Sequence, residues 1–400
     1  MTCSSFASVA WTFKASLASI TRGCVNSSVV AFEDIALLLN KLNILVDASS
    51  GKVLVERNAD DQVPPASLTK IMTGYVLADE INSGHVSRQD AVQVSANAWA
   101  QNPLFEGSSL MWIEPGLEVS VSELEHGIVV SSGNDASVAL AEFLSGSEEI
   151  FSEKMNRYAK LLSLDSTYYV NSHGLPDKDH LTTARDLANL SRALIRNFPE
   201  HYSIYKKRDF TYNNIRQYNR NTLLVDDPSV DGLKTGYTKE AGYCLVASAE
   251  REGMRLISVV LGTSSPGARK RGTRKLLNYG FRFFETVSRF SENNELAVTR
   301  VWQGDRETLS TGVSTPVFLT VPRGASEDIE MRVILDREIL APVAVGDTVG
   351  RVTLTLGDEV LHEAPLTARE NILRSDFFSR LWDVILMWLN SVFLPSESSR

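Results

Sequence analysis

The sequence predicts a mixed α/β domain over residues 41–286, a small all-β domain over residues 287–370 and an amphipathic helix within residues 371–400. Three observations carry this. Helical apolar spacing is bracketed by strand-like runs at both ends of the first segment, apolar and polar residues alternate in the second, and the tail is apolar on one side.

Along the first domain, "NILVDASSGKVLVERN" (residues 43–58) reads as two strands joined by a tight turn with Gly51 at the bend. Pro64 and Pro65 bar a helix upstream, and Leu68, Ile71, Met72, Tyr75 and Val76 then recur at helical spacing. A helix therefore spans residues 67–81. Further helices are expected from Asp135, over 151–162 and over 183–196. "YCLVASAE" and "MRLISVVLG" have strand character, and "ARKRGTRKLLNYGFRFFETV" returns to a helical pattern. In the second domain, "TPVFLTVP", "DIEMRVIL" and "GRVTLTLG" alternate between Gly, Pro and Asp turn signals.

In the tail, Phe377, Phe378, Leu381, Trp382, Ile385, Trp388, Leu389 and Val392 share one broad helical face, opposite Asp376, Arg380, Asp383 and Asn390. Charges interrupt any run of about 18 apolar residues, so the segment does not span a bilayer. A helix with Trp, Phe and Leu on one side fits a membrane surface; the plain alternative is packing on a domain or partner. Residues 1–40 form an atypical N-terminal or targeting segment. A secretory signal needs an apolar core of about 7 to 15 residues, and here Lys14 interrupts one candidate while Glu33 and Asp34 interrupt the other. A misassigned start codon accounts for this equally well.

With 400 residues, 43% of them hydrophobic, the chain builds a substantial core, and its net charge of −9 argues against a nucleic-acid partner. Cys3, Cys24 and Cys244 form neither a paired framework nor a metal-ligand spacing, and Cys244 in its apolar run reads as a buried small hydrophobe.

Three motifs remain for chemistry. Ser67 and Lys70 are neighbours on one helix face, within hydrogen-bonding reach, and burial would let the lysine take a proton from the serine. The same spacing at Ser49/Lys52 and Ser203/Lys206 sits in turn or charged surroundings and reads as surface. Ser132-Gly133-Asn134 lies between an apolar run and a helix; its plain reading is a helix cap by Asn134 or Asp135. Lys234-Thr235-Gly236 leads into a strand. It reads as a cationic strand edge for a carboxylate, with Gly236 permitting close approach of a ligand backbone, or plainly as a surface turn.

Together and in this order, the three motifs occur in penicillin-binding proteins and serine β-lactamases. The sequence resembles the low-molecular-mass penicillin-binding proteins, specifically the serine D-alanyl-D-alanine carboxypeptidases of the S11 peptidase type, from about Leu42 to the terminal helix. "HGLPDKDHLTTARDLANLSRALI", "IRQYNRNTLLVDDPSVDGLKTG" and "LLNYGFRFFETV" extend the likeness beyond the short motifs.

The resemblance implies the transpeptidase fold shared with serine β-lactamases. It implies that Ser67 attacks peptidoglycan stem peptides ending in D-Ala-D-Ala, expels D-alanine and forms an acyl-enzyme that water hydrolyses, with β-lactams as covalent inhibitors. Lys70 becomes the base, its proton affinity lowered by burial and by nearby Lys234. Ser132 passes a proton to the leaving amine, Asn134 holds Lys70 and the substrate amide, and the backbone N–H groups of Ser67 and Tyr237 form the oxyanion hole. Lys234, Thr235 and Arg269 bind the terminal carboxylate, with Arg271 and Arg274 as close alternatives to Arg269. Arg220 and His173 match family positions near the site, and for His173 a structural role is expected. Tyr237 departs from the histidine common after Lys-Thr-Gly. The mechanism needs no metal or organic cofactor, and the family implies a periplasmic enzyme, peripheral on the outer face of the inner membrane.

A class A β-lactamase would need a glutamate in a loop after the Ser-x-Asn motif to activate the deacylating water, and no glutamate occurs between Lys154 and Pro199. An endopeptidase differs only in loops that set substrate length. A non-catalytic sensor would keep the fold, and the intact motifs count against it.

Overall fold

The computed structural model describes residues 42–290, 294–336 and 338–393. The N-terminal segment 1–40, with Cys3 and Cys24, lies outside them, as do the side chains of Asn390 and Val392. The chain divides into two compact units between Phe283 and Phe284. That junction falls slightly ahead of residue 286, because "RFFETV" suits helix and strand alike and Phe284 already pairs with Pro322.

In the first unit, β1 (Leu42–Asp47), β2 (Val53–Arg57), β3 (Val230–Thr238), β4 (Gly242–Arg251) and β5 (Met254–Thr263) form a five-stranded sheet in the order β2-β1-β5-β4-β3. Every pair is antiparallel. The order leaves β3, which carries Lys234-Thr235-Gly236, at a sheet edge, as a strand that receives a ligand requires.

The helix expected from Ser67 is a 3₁₀ turn, Ala66–Thr69, running into α1 (Lys70–Asn82). From Lys70 to Ala78 every residue of α1 is buried. A helix enclosed on all sides needs no polar face. Leu68, Ile71 and Met72 are fully buried, each stabilising by about 2 kcal/mol through the area removed from water. Three further helices pack on α1: α2 (Asn134–Ser145), α3 (Glu148–Leu161) and α4 (Ala184–Asn197). Thr183 caps α4 by accepting from the Asp186 N–H, and α5 (Pro266–Phe283) lies against β4 and β5. Lys70 is thus anchored at the N-terminus of the most enclosed helix.

The second unit begins with β6 (Phe284–Phe290), which pairs with β9 (Val317–Pro322). Strands β7 (Ala297–Trp302), β8 (Thr308–Gly312), β10 (Ile329–Leu335), β11 (Ile339–Leu340), β12 (Thr348–Leu356) and β13 (Glu359–Ala368) form a sheet in the order β10-β12-β13-β8-β7-β11. The last helix, α6 (Phe377–Phe393), is tied to this unit through its polar side, where Asp383 accepts from the Gln303 N–H at 2.6 Å. On its opposite side Phe378 is 79% exposed and Trp382 61%.

Candidate active site

The 3₁₀ turn places the Ser67 hydroxyl 3.2 Å from Lys70 Nζ. Two carbonyl oxygens take hydrogen bonds from the same nitrogen, Asn134 Oδ1 at 2.7 Å and the His173 backbone oxygen at 2.7 Å. A neutral amine has two N–H bonds and one lone pair. With both N–H bonds occupied, the lone pair is left to the Ser67 O–H. Burial lowers the Lys70 pKa to about 7, Asp135 and Glu148 pull it back up, and Arg220 pushes it further down. The amine is therefore available as a base near neutral pH.

Ser132 follows a widened π-helical turn, Gly127–Ser131, and holds φ +62 in the left-handed region that favours glycine. Such backbone strain concentrates where a side chain must be aimed. Lys234 Nζ donates to Ser132 Oγ at 2.8 Å. Asn134 is the first residue of α2 and makes no cap; Gly133 precedes the helix. The neighbouring Asp135 carboxylate instead accepts the N–H groups of Met111, Trp112 and Ile113, and Asn134 N–H donates to the Ser109 carbonyl. These bonds hold the 108–113 loop at the cleft.

Ser67, Ser132, Asn134, Thr235, Arg220 and Arg269 line a cleft of about 340 Å³. Lys234 is buried behind them, its ammonium disfavoured by burial and by Lys70, Arg220 and Arg269. Lys234, Arg220 and Arg269 around one opening suit an anion, since a carboxylate relieves their mutual repulsion. Arg269 donates to the Gly236 and Cys244 carbonyls, each at 3.2 Å, and lies over the Tyr243 ring. Tyr237, half exposed, stacks on Tyr243 with ring centroids 4.2 Å apart.

The sequence profile of the D-alanyl-D-alanine carboxypeptidase family matches residues 36–265, more than half of the chain. The chain belongs to that family. A second profile, the C-terminal domain of penicillin-binding protein 5, matches residues 284–374 of the carboxypeptidase. D-alanyl-D-alanine carboxypeptidase DacA of Escherichia coli (strain K12) is 44% identical over 353 residues, 88% of this chain and 88% of the relative. The crystal structure of penicillin-binding protein 5 from Haemophilus influenzae is 39% identical with a TM-score of 0.81, covering 84% of this chain and 98% of that one. Penicillin-binding protein D2 from Listeria monocytogenes, solved in an ampicillin-bound form, is 32% identical with a TM-score of 0.53, covering 60% of this chain and 96% of that one.

The carboxypeptidase brings Ser67, Lys70, Ser132, Asn134, Lys234, Thr235, Gly236, Tyr237, Arg220, His173 and Arg269 to one cleft. Arg269 faces it, whereas Arg274 is drawn off to Asp226 at 2.7 Å. A Cβ at Gly236 would meet the Pro65 carbonyl at 3.1 Å and Ala66 Cβ at 3.2 Å, so the glycine also makes room for the Ser67 turn. Arg220 also lowers the proton affinity of Lys70, and Lys70 and Lys234 disfavour each other's charge. Gly174, at φ +93, is equally constrained: a Cβ would lie 1.9 Å from the Ala66 carbonyl oxygen. Its loop clamps the Ser67 turn from the other side.

Sequence reasoning missed Glu148. Preceded by Ser147 and followed by Glu149, it looks like an ordinary acidic first turn of a helix, yet it reaches the loop that carries His173. It falls just before the interval searched for a glutamate and is not among the residues lining the cleft. It is therefore not placed to activate a deacylating water.

Proposed function

We propose that the carboxypeptidase removes the terminal D-alanine of peptidoglycan stem peptides through an acyl-enzyme on Ser67. The observation that carries this reading is the Lys70 amine, held by two carbonyl acceptors with its lone pair towards Ser67. Ser67 Oγ attacks the penultimate D-alanine carbonyl as its proton passes to Lys70 Nζ. The backbone N–H groups of Ser67 and Tyr237 receive the oxyanion, a type of donor worth about 2.7 to 4 kcal/mol. Collapse breaks the C–N bond, and the leaving amine takes a proton through Ser132 Oγ, which Lys234 holds at 2.8 Å. Water then hydrolyses the ester, with Lys70 again as base. A β-lactam offers the same amide and carboxylate pattern, so its ring opens on Ser67 in the first half of this sequence.

Lys234, Thr235 and Arg269 bind the terminal carboxylate, with Arg220 adding positive potential. The test is release of D-alanine from an N-acylated peptide ending in Lys-D-Ala-D-Ala. In that assay Arg269→Ala is expected to raise KM about tenfold, with a smaller loss in kcat, because it removes a charged contact made before and during the reaction. An unchanged KM would remove Arg269 from the carboxylate site.

The apolar side of α6, with Phe378, Leu381 and Trp382 exposed, supports docking of the full chain on the outer face of the inner membrane, in the periplasm. No helix among the described residues is long and apolar enough to cross a membrane. Full-length protein is expected to sediment with anionic vesicles, and Trp382→Asp with Trp388→Asp to abolish this without loss of D-alanine release. Equal sedimentation of both would contradict the membrane role.

A further inference from the structure

The Ser172-His173 segment supplies the carbonyl that holds Lys70, and it is held in turn by the Glu148 carboxylate, by Thr73 and by Asn171 Oδ1, which accepts from the His173 N–H at 3.3 Å. Glu148, at the first position of α3 and 21% exposed at its side chain, accepts from the Ser172 N–H at 2.9 Å and from Ser172 Oγ at 2.5 Å. His173 Nε2 lies 3.4 Å from the same carboxylate oxygen, Oε1. His173 Nδ1 accepts from the Leu175 N–H at 3.0 Å, so the ring proton sits on Nε2, which is buried without a hydrogen-bond partner. The His173 ring stays neutral, its pKa held well below the ordinary range by burial and by Lys70. On the far side, Thr73 Oγ1, one turn along α1 from Lys70, donates to the Ser172 carbonyl at 2.6 Å.

We propose that Glu148 is a positioning residue for the Ser67 acylation step: its carboxylate fixes the Ser172-His173 backbone whose carbonyl orients Lys70, and lends that lysine a negative charge from outside the cleft. This rests on Lys70 being the base. Two donors of Ser172, its N–H and its hydroxyl, converge on one carboxylate oxygen, with the His173 ring 3.4 Å away. The nearest charged or titratable groups facing Glu148 are Glu149 on its own helix, Glu142 on α2, His173 and Lys70. Those facing Lys70 are Asp135, Arg220, Lys234, His173, His180 and Glu148.

Two consequences separate this from an ordinary helix-end acid. Removing the carboxylate's charge removes a favourable interaction with the Lys70 ammonium, so the amine loses its proton more readily. Removing the acceptor altogether loosens the segment. In full-length protein, with active sites counted by fluorescent penicillin, Glu148→Gln is expected to move the acid limb of kcat/KM for D-alanine release to lower pH. Glu148→Ala is expected to lose about tenfold or more in kcat/KM on the alkaline plateau, since both Ser172 donors lose their acceptor. Glu148→Gln should recover part of that loss.

An acid limb in Glu148→Gln that coincides with the wild-type limb would overturn the proposal, even if Glu148→Ala fails to fold. A wild type with no acid limb would remove Lys70 as base and Glu148 with it. The same limb can be read from the rate of penicillin acylation. A protein that acylates but releases no D-alanine would therefore contradict the carboxypeptidase reading while still deciding the role of Glu148.

Discussion

Lys70→Met is expected to lower acylation on the order of 10⁴-fold, with D-Ala-D-Ala peptides and with penicillin alike, because it removes the general base and leaves the Ser67 hydroxyl at its ordinary proton affinity. Methionine fits the enclosed position, and burial of an uncharged side chain spares the desolvation that lysine pays there, so the variant should fold. In the wild type the sign of the pH effect follows from the same group. Below about pH 7 the amine holds its proton and the base is lost; above it, acylation reaches a plateau. Stopped-flow acylation across pH 5 to 9 reads both effects. Acylation of the variant within tenfold of wild type would move the base elsewhere.

Lys234→Ala is expected to cost about 10³-fold in kcat/KM, split between kcat and KM, because one group does two jobs. Its Nζ donates to Ser132 Oγ at 2.8 Å, on the path of the proton to the leaving amine. The same charge, together with Arg220 and Arg269, makes the cleft attractive to a carboxylate. Lys234→Arg should restore little, since a planar guanidinium does not fit a fully enclosed ammonium site. A loss confined to KM would leave Lys234 as a carboxylate ligand alone.

Much of this was legible in the sequence, for reasons that differ from element to element. The Ser67/Lys70 pair was readable because residues three apart share a helix face, and the two prolines marked where the helix begins. Lys234-Thr235-Gly236 read as a strand edge, and β3 lies at the edge of its sheet. The choice among Arg269, Arg271 and Arg274 was open in the sequence because it depends on which side of α5 meets the sheet; the structure turns Arg269 to the cleft. Gly236 and Gly174 were opaque for a similar reason. What forbids a side chain at each is the Ser67 turn itself, a neighbour distant in sequence. Glu148 was hidden by its ordinary local setting, since a serine followed by two acids at a helix start explains itself without any reference to Lys70, far away in the sequence. In the sequence Asp135 is one of two residues suited to cap a helix, and its role as acceptor for three loop N–H groups appears only when the 111–113 segment is brought beside it.

The most direct test of Ser67 as the nucleophile is release of D-alanine from an N-acylated Lys-D-Ala-D-Ala peptide by the full-length wild type and by Ser67→Ala, with intact mass recorded after exposure to penicillin. The wild type should release D-alanine and gain one penicilloyl group. Ser67→Ala should do neither, a loss on the order of a millionfold for a removed nucleophile. Comparable D-alanine release by Ser67→Ala, or a penicilloyl adduct still formed on it, would contradict Ser67 as the nucleophile.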